Sequence, residues 1–483
     1  MHPLLRADLA ALPDLLASTL EHAAAFLQSL PTRPAAVLPA PRAAPALPGT
    51  GVGAAQALQD FVVDYAPELS GSAGPRYFGF VTGGATPAAL AADWLVSAFD
   101  QNLSSNGDSV ATHVERHTIA LLAELLGLPA AFTGSFVTGA TMSNFVSLAV
   151  ARQWAGRQLG ADVAQDGWGA RPPLPILSAA PHSSVYKAVA MLGLGRSSVR
   201  PVAALPGREA VDVAALAAAL HALEGQPAIV VASAGTVNTT DFDDLAVLGA
   251  LKQQYPFWLH VDAAFGAFAA CSPRYQHLLA GVEFADSVTV DAHKWLNVPY
   301  DAAMQFVRRE HQGLQTEVFQ NRAAYLGPVA ADDLDFNHLT PENSRRFRAL
   351  PAWLTLMAYG RAGYQEIVER NCDLAQALSR RLAASAQFAL LAPTRLNIVC
   401  FTLRTNPPMP AAELIGQLLA RVRDDGRAFF TPTVLGGQAG IRAAFSNWRT
   451  EPADVELAWQ ALTEAAAQVL GPTPTVSLPA YPS

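Results

Sequence analysis

Amine chemistry in this chain falls to very few residues, because among its 32 Lys and Arg residues only Lys187, Lys252 and Lys294 are lysines. Lys294 closes the segment Ser287-Val-Thr-Val-Asp-Ala-His-Lys-Trp295, where an apolar, strand-like run delivers it at its carboxyl end. A desolvated lysine there can bond covalently to an aldehyde, which a guanidinium cannot do. The competing reading is a lysine whose stem lies along a neighbouring aromatic ring. Lys187 and Lys252 fall on predicted helices, where a solvent-facing role suits them. Upstream, His260-Val-Asp-Ala-Ala-Phe-Gly266 places Asp262 at the end of another apolar run. A buried carboxylate in that position keeps a pyridine-type ring nitrogen protonated, or simply caps the next turn. Thr138-Gly-Ala-Thr-Met-Ser143 sets small residues before an apolar-periodic helix, the arrangement that offers backbone N–H groups to an anion, with Ala140 and Thr141 as candidate ligands. His182, in Pro-His-Ser-Ser-Val185, can stack on a planar ring or serve structure alone. Ala234-Gly-Thr-Val-Asn-Thr239 is a polar turn after a strand.

These residues need a scaffold that collects strand ends. Strand-like runs at Pro175–Ser178, Ala228–Ala234, Trp258–Asp262, Ser287–Asp291 and Ala303–Val307 alternate with helical patterns at Met142–Leu159, Ser184–Leu192 and Val211–Leu223. Such alternation predicts an α/β fold with a mostly parallel sheet, whose ligands sit beyond the carboxyl ends of its strands. After about Leu350, helical patterns lead to strand-like runs at Leu396–Leu403 and Gly440–Phe445 and a final helix at Ala453–Leu470, a smaller α+β domain. Residues 1–30 read as amphipathic helix, followed by a Pro/Ala-rich connector from Pro31 to Gly49. The expected division is an N-terminal helical segment 1–75, a large domain 76–350 and a small C-terminal domain 351–483.

With 483 residues, 51% of them apolar, the chain can bury two or three cores, and its net charge of −8 argues against nucleic acid or an anionic membrane as partner. Asp8, Asp14 and Glu21 interrupt any signal-peptide core, and no stretch is apolar enough to span a bilayer. Cys271, Cys372 and Cys400 are too few and too scattered for a disulfide framework or a CxxC-type metal site, so a reducing, cytoplasmic location and no metal are expected.

Taken together, His182-Ser-Ser, Gly235-Thr, His260-Val-Asp-Ala-Ala and Asp291-Ala-His-Lys-Trp resemble, in order and approximate spacing, the group II pyridoxal-phosphate-dependent decarboxylases. That family includes aromatic-amino-acid, tyrosine, histidine and glutamate decarboxylases, and the resemblance runs from about Tyr77 to Trp459. It implies pyridoxal 5'-phosphate (PLP) as cofactor and the aspartate-aminotransferase-like fold type I. It further implies a homodimer with shared active sites, whose N-terminal segments wrap the partner. By the same resemblance Lys294 holds the cofactor covalently, Asp262 pairs with its ring nitrogen and His182 stacks on its face. Ala140, Thr141 and Ser287 match phosphate contacts, Thr236 lies near the ring hydroxyl, and His293 joins the cofactor-binding set. Tyr325, in Ala-Ala-Tyr-Leu-Gly327, matches the tyrosine of a catalytic loop that donates a proton after CO2 leaves, so Lys294, His182 and Tyr325 form the expected catalytic group. Asp291 departs from the asparagine of the aromatic decarboxylases, and its side chain is expected to point away from the phosphate. Val237 replaces a threonine. Ser344-Arg-Arg-Phe-Arg348 and Phe445-Ser-Asn-Trp-Arg-Thr450 are also similar to family signatures, without an assigned chemistry.

Tyr77-Phe-Gly-Phe80 is similar to the family's aromatic pocket lining and makes Phe80 the substrate-binding candidate. Asn102-Leu-Ser-Ser-Asn106 is closer to the glutamate branch; an acidic substrate would need a pocket arginine, with Arg76 and Arg322 as candidates. The expectation leans to decarboxylation of an aromatic L-amino acid. Its rivals are an acidic amino acid, a carbon–carbon lyase or aldehyde synthase on the same fold, and a non-catalytic binding protein.

Overall fold

The computed structural model describes residues 1–107, 109–320, 335–404 and 410–470. Seven strands form the larger sheet: β1 (Phe132–Val137), β2 (Ile176–Ser178), β3 (Val199–Pro201), β4 (Ala228–Ser233), β5 (Phe257–Asp262), β6 (Ser287–Asp291) and β7 (Ala303–Arg308). Their order is β1-β7-β6-β5-β4-β2-β3. The ladder from β3 through β6 is parallel, whereas β7 runs antiparallel to both β6 and β1. A parallel neighbour needs a long crossover, and residues 292–302 leave no room for one, so β7 turns straight back. All six residues of β4 are buried, because both faces of the sheet are covered. Val230 and Ala232 point into one core with Leu259 and Val288, while Ile229 and Val231 point into another with Trp258 and Val307.

Four strands form the second sheet, β8 (Phe388–Leu390), β9 (Ile398–Leu403), β10 (Thr431–Leu435) and β11 (Gln438–Ala444), antiparallel in the order β10-β11-β9-β8. Phe78 packs into the core of this sheet, and its backbone bonds Phe429 O and Ala444 N. The helix Ala349–Ala384 serves both cores, with a break at Gly360 (φ 57°): Ala349 to Cys372 face the first, and Leu374 to Leu382 the second.

Three N-terminal helices, α1 (Pro3–Ala10), α2 (Leu12–Ser29) and α3 (Ala54–Asp64), contain no buried residue. Next come α4 (Pro87–Phe99), α5 (Ala111–Leu125) and α6 (Ala140–Gln158); α6 lies across β5, β6 and β7. Among the described residues no helix is long and apolar enough to cross a membrane.

Candidate active site

The carboxyl ends of β4, β5 and β6 and the start of α6 converge on a cavity of about 220 Å³ whose wall includes Lys294, Asp262, His182, Ala140, Thr236 and Phe80. Lys294 leaves β6 on the short helix Ala292–Trp295, half-buried, with its ammonium 5.8 Å from the Phe265 ring centroid. Close backbone approach builds the wall: Gly235 has φ 99°, and a Cβ there would stand 3.1 Å from Gly266 Cα. Of the other lysines, Lys187 is exposed as expected, but Lys252 is not simply solvent-facing, since its ammonium lies 2.6 Å from the buried Asp286 carboxylate.

A directed chain of hydrogen bonds sets the polarity of the site. Trp258 Nε1–H donates to Ser287 Oγ, leaving the Ser287 hydroxyl to donate to His260 Nδ1. His260 Nε2–H then donates to Asn144 Oδ1, and the Asn144 amide N–H groups go to Asp262 Oδ2 (3.1 Å) and Ser184 Oγ (3.0 Å). Ser184 Oγ–H in turn meets His182 Nδ1 at 2.7 Å. These tautomers and the amide orientation follow from satisfying every partner at once. Both histidines are therefore neutral with the proton on Nε2, in line with burial, which pushes His260 down to about 4 and also lowers His182. No described residue bonds Nε2 of His182, whose ring lies at the cavity mouth.

This chain corrects one expected phosphate contact. Ser287 is wholly buried at the start of β6, the end away from Lys294, and its hydroxyl is committed to Trp258 and His260. Asp291 also differs from expectation. Its side chain turns toward the start of α6, buried behind the cavity wall: Oδ1 accepts from Ala140 N at 2.8 Å and Oδ2 lies 2.9 Å from Lys294 Nζ. Thr141 follows Ala140 in the first turn of α6 but lies outside the cavity wall. His293 faces a second, mostly apolar cavity, against the Tyr300 ring (4.5 Å between centroids), with Asp291 Oδ1 3.6 Å from its Nδ1. Thr236 lines the site, yet its hydroxyl donates to Glu209 Oε2 at 2.5 Å and accepts from Asp241 N, so it has no proton left for a ligand. Phe80 is 58% exposed at φ 55°, a backbone region that costs a phenylalanine about 1 kcal/mol or more. Tyr325 and Arg322 lie outside the described residues.

Arg76 is no pocket arginine: it is buried and ties Pro31 O and Arg427 O together. The arginine at the cavity wall is Arg442 of β11, 8% exposed, donating to Val237 O at 2.9 Å with Nε left unpartnered. Sequence reading also missed Glu209, which lines the cavity from a loop and accepts from Thr236, Asn238 and Thr239. Asn144 had a usable signal, one turn beyond Ala140 on the buried face of α6. Glu209 and Arg442 had none, since tertiary contact alone brings them in.

The donor set fits pyridoxal phosphate. A lysine amine, a carboxylate and a helix-start N–H surround one cavity, and that N–H already holds an anion, the Asp291 carboxylate.

Comparison with known proteins points the same way. The model for the pyridoxal-dependent decarboxylase conserved domain matches residues 44–404. An aromatic-L-amino-acid decarboxylase of Bos taurus is 30% identical over 82% of this chain and 82% of its own length. An L-2,4-diaminobutyrate decarboxylase of Rhizobium meliloti (strain 1021) is 31% identical over 79% of this chain and 76% of its own. Among solved structures, Oryza sativa TDC with PLP and tryptamine superposes with a TM-score of 0.88 at 25% identity, covering 98% of this chain and 100% of that one.

Proposed function

Since the chain belongs to the family of pyridoxal-dependent decarboxylases, we propose that it removes the carboxylate of an aromatic L-amino acid as CO2 and releases the amine. It is a PLP-dependent amino acid decarboxylase, a carboxy-lyase of fold type I. The observation that carries the site assignment is the convergence of Lys294, Asp262, His182 and Ala140 N–H on one cavity.

When bound, the cofactor supplies an electron sink for the pair left behind as CO2 departs. Lys294 is placed to hold it, and the Ala140 N–H to receive its phosphate. Asp262 receives N–H groups from Asn144 and Ala264, which keeps it an acceptor toward a ring nitrogen. His182, its ring oriented by Ser184 at Nδ1, would lie against the face of the cofactor ring. Phe80, Val81, Val237 and Phe265 give the cavity apolar walls, which favours a flat, apolar substrate side chain. Arg442 favours a second reading, an acidic side chain, but Glu209 beside it offsets that charge.

The homodimer is part of the proposal. Leu5, Leu9, Leu12, Leu16 and Leu20 form an exposed stripe along α1 and α2 at helical spacing, and Phe80 and Tyr300 are exposed beside the site, which supports a second copy covering all of them. A large domain within 76–350 and a small one within 351–483 are supported by the two separate sheets. Three buried, unbonded thiols support a reducing, cytoplasmic setting.

The test is product analysis with PLP-loaded protein and a panel of aromatic, acidic and diamino acids. Amine with equimolar CO2 from an aromatic substrate is expected. Turnover of glutamate, aspartate or diaminobutyrate alone would reassign the substrate, and aldehyde would remove simple decarboxylation. Lys294→Ala protein should take up no visible colour on PLP addition.

A further inference from the structure

The start of α6 is the anion-binding end of the cavity, and the chain already fills it. Asp291 Oδ1 accepts the Ala140 N–H at 2.8 Å, its Oδ2 lies 2.9 Å from Lys294 Nζ, and the side chain is only 4% exposed. One buried carboxylate thus occupies both groups that a phosphorylated aldehyde must engage. The charged and titratable neighbours of Asp291 are Lys294, His293 and His182, and burial lowers the pKa of both histidines, which leaves Lys294 as the main cation beside it. Gly139, on the other side, brings no side chain, and a Cβ there would itself stand 4.0 Å from Asp291 Oδ1.

We propose that Asp291 is an internal stand-in for phosphate, so that cofactor loading is an exchange of anions at the start of α6. The phosphate takes the Ala140 N–H, the aldehyde engages the Lys294 amine, and the carboxylate moves back toward the His293 ring, whose Nδ1 lies 3.6 Å away. Two anions sharing one helix start repel each other in a poorly solvated site. The chain therefore holds phosphorylated cofactor less tightly than it would with a neutral acceptor at this position, and it discriminates weakly between PLP and pyridoxal. The inference rests on PLP being the cofactor.

Asp291→Asn keeps an oxygen for the Ala140 N–H and removes the charge. Dissociation constants for PLP and for pyridoxal, read by cofactor absorbance, should show the PLP-to-pyridoxal affinity ratio rising by about tenfold or more in the variant. Inorganic phosphate should raise the variant's melting temperature at concentrations that leave the parent unchanged. Asp291→Ser, which also supplies an uncharged acceptor, should behave likewise and guards against a folding defect peculiar to Asn. An unchanged ratio in two folded variants overturns the proposal, as does a ratio that falls. A parent chain that binds neither PLP nor pyridoxal overturns the cofactor assignment instead.

Discussion

His260 is enclosed completely, donating to Asn144 and accepting from Ser287, and burial pushes its pKa down from an ordinary 6.5 to about 4. The unfolded chain therefore binds a proton at this residue between those values while the folded chain does not. Stability is full above pH 6.5 and is lost as pH falls toward 4, by about 3 kcal/mol at most. The melting temperature of His260→Gln should accordingly fall less steeply than the parent's across that window; a parallel decline would refute the assignment. Burial shifts His182 and His293 in the same direction, so some slope should remain. Asn144 matters differently, because its amide feeds both Asp262 and, through Ser184, His182. Asn144→Asp sets a second carboxylate against Asp262, and kcat should drop about ten- to hundredfold with easier loss of cofactor on gel filtration. Of these residues, Lys294, Asp262 and His182 were readable from sequence because each ends or follows an apolar strand. Ser287 was misread because its hydroxyl serves a buried histidine, and nothing local reports that.

At the level of elements, the Ser344–Arg348 segment finds its role as a clamp. Arg345 forms a bidentate pair with Glu115 of α5, both almost wholly buried, and donates to Leu103 O and Phe136 O. Glu115 also accepts from Phe136 N, so the pair pins β1, whose end leads into α6 and the anion-binding turn. Removing one partner strands the other charge, and Arg345→Ala should cost about 3–5 kcal/mol, seen as a large fall in the thermal midpoint. The Phe445–Thr450 segment does similar work on the strand-like stretch that carries Phe80: Asn447 bonds Ala73 O and Gly74 O, Trp448 bonds Ala85 O, and Thr450 bonds Pro75 O. Neither function could be read from sequence, since both lie in contacts between distant segments. The parallel strands β2, β4, β5 and β6 were legible within a residue or two because burial on both faces writes a continuous apolar run. β1, with Thr133, Gly134 and Ser135 at its centre, did not read as a strand, and the three-residue β3 was too short to show a period.

For the whole molecule, the unpaired apolar stripe on α1 and α2 sets the prediction. Leu9→Asp with Leu16→Asp places two charges where a second copy is proposed to pack, and sedimentation should show monomer in place of dimer. A variant that stays dimeric would move the interface elsewhere. The sheet order carries one more consequence, concerning how the chain is made. Among the described residues the strand partner of β1 is β7 alone, with Phe132 opposite Arg308, so an early segment waits for a late one. At about 5–20 residues per second a ribosome needs roughly ten to thirty-five seconds to cover that interval, far longer than local helix formation takes. Nascent chains should therefore keep β1 open to proteolysis until β7 emerges.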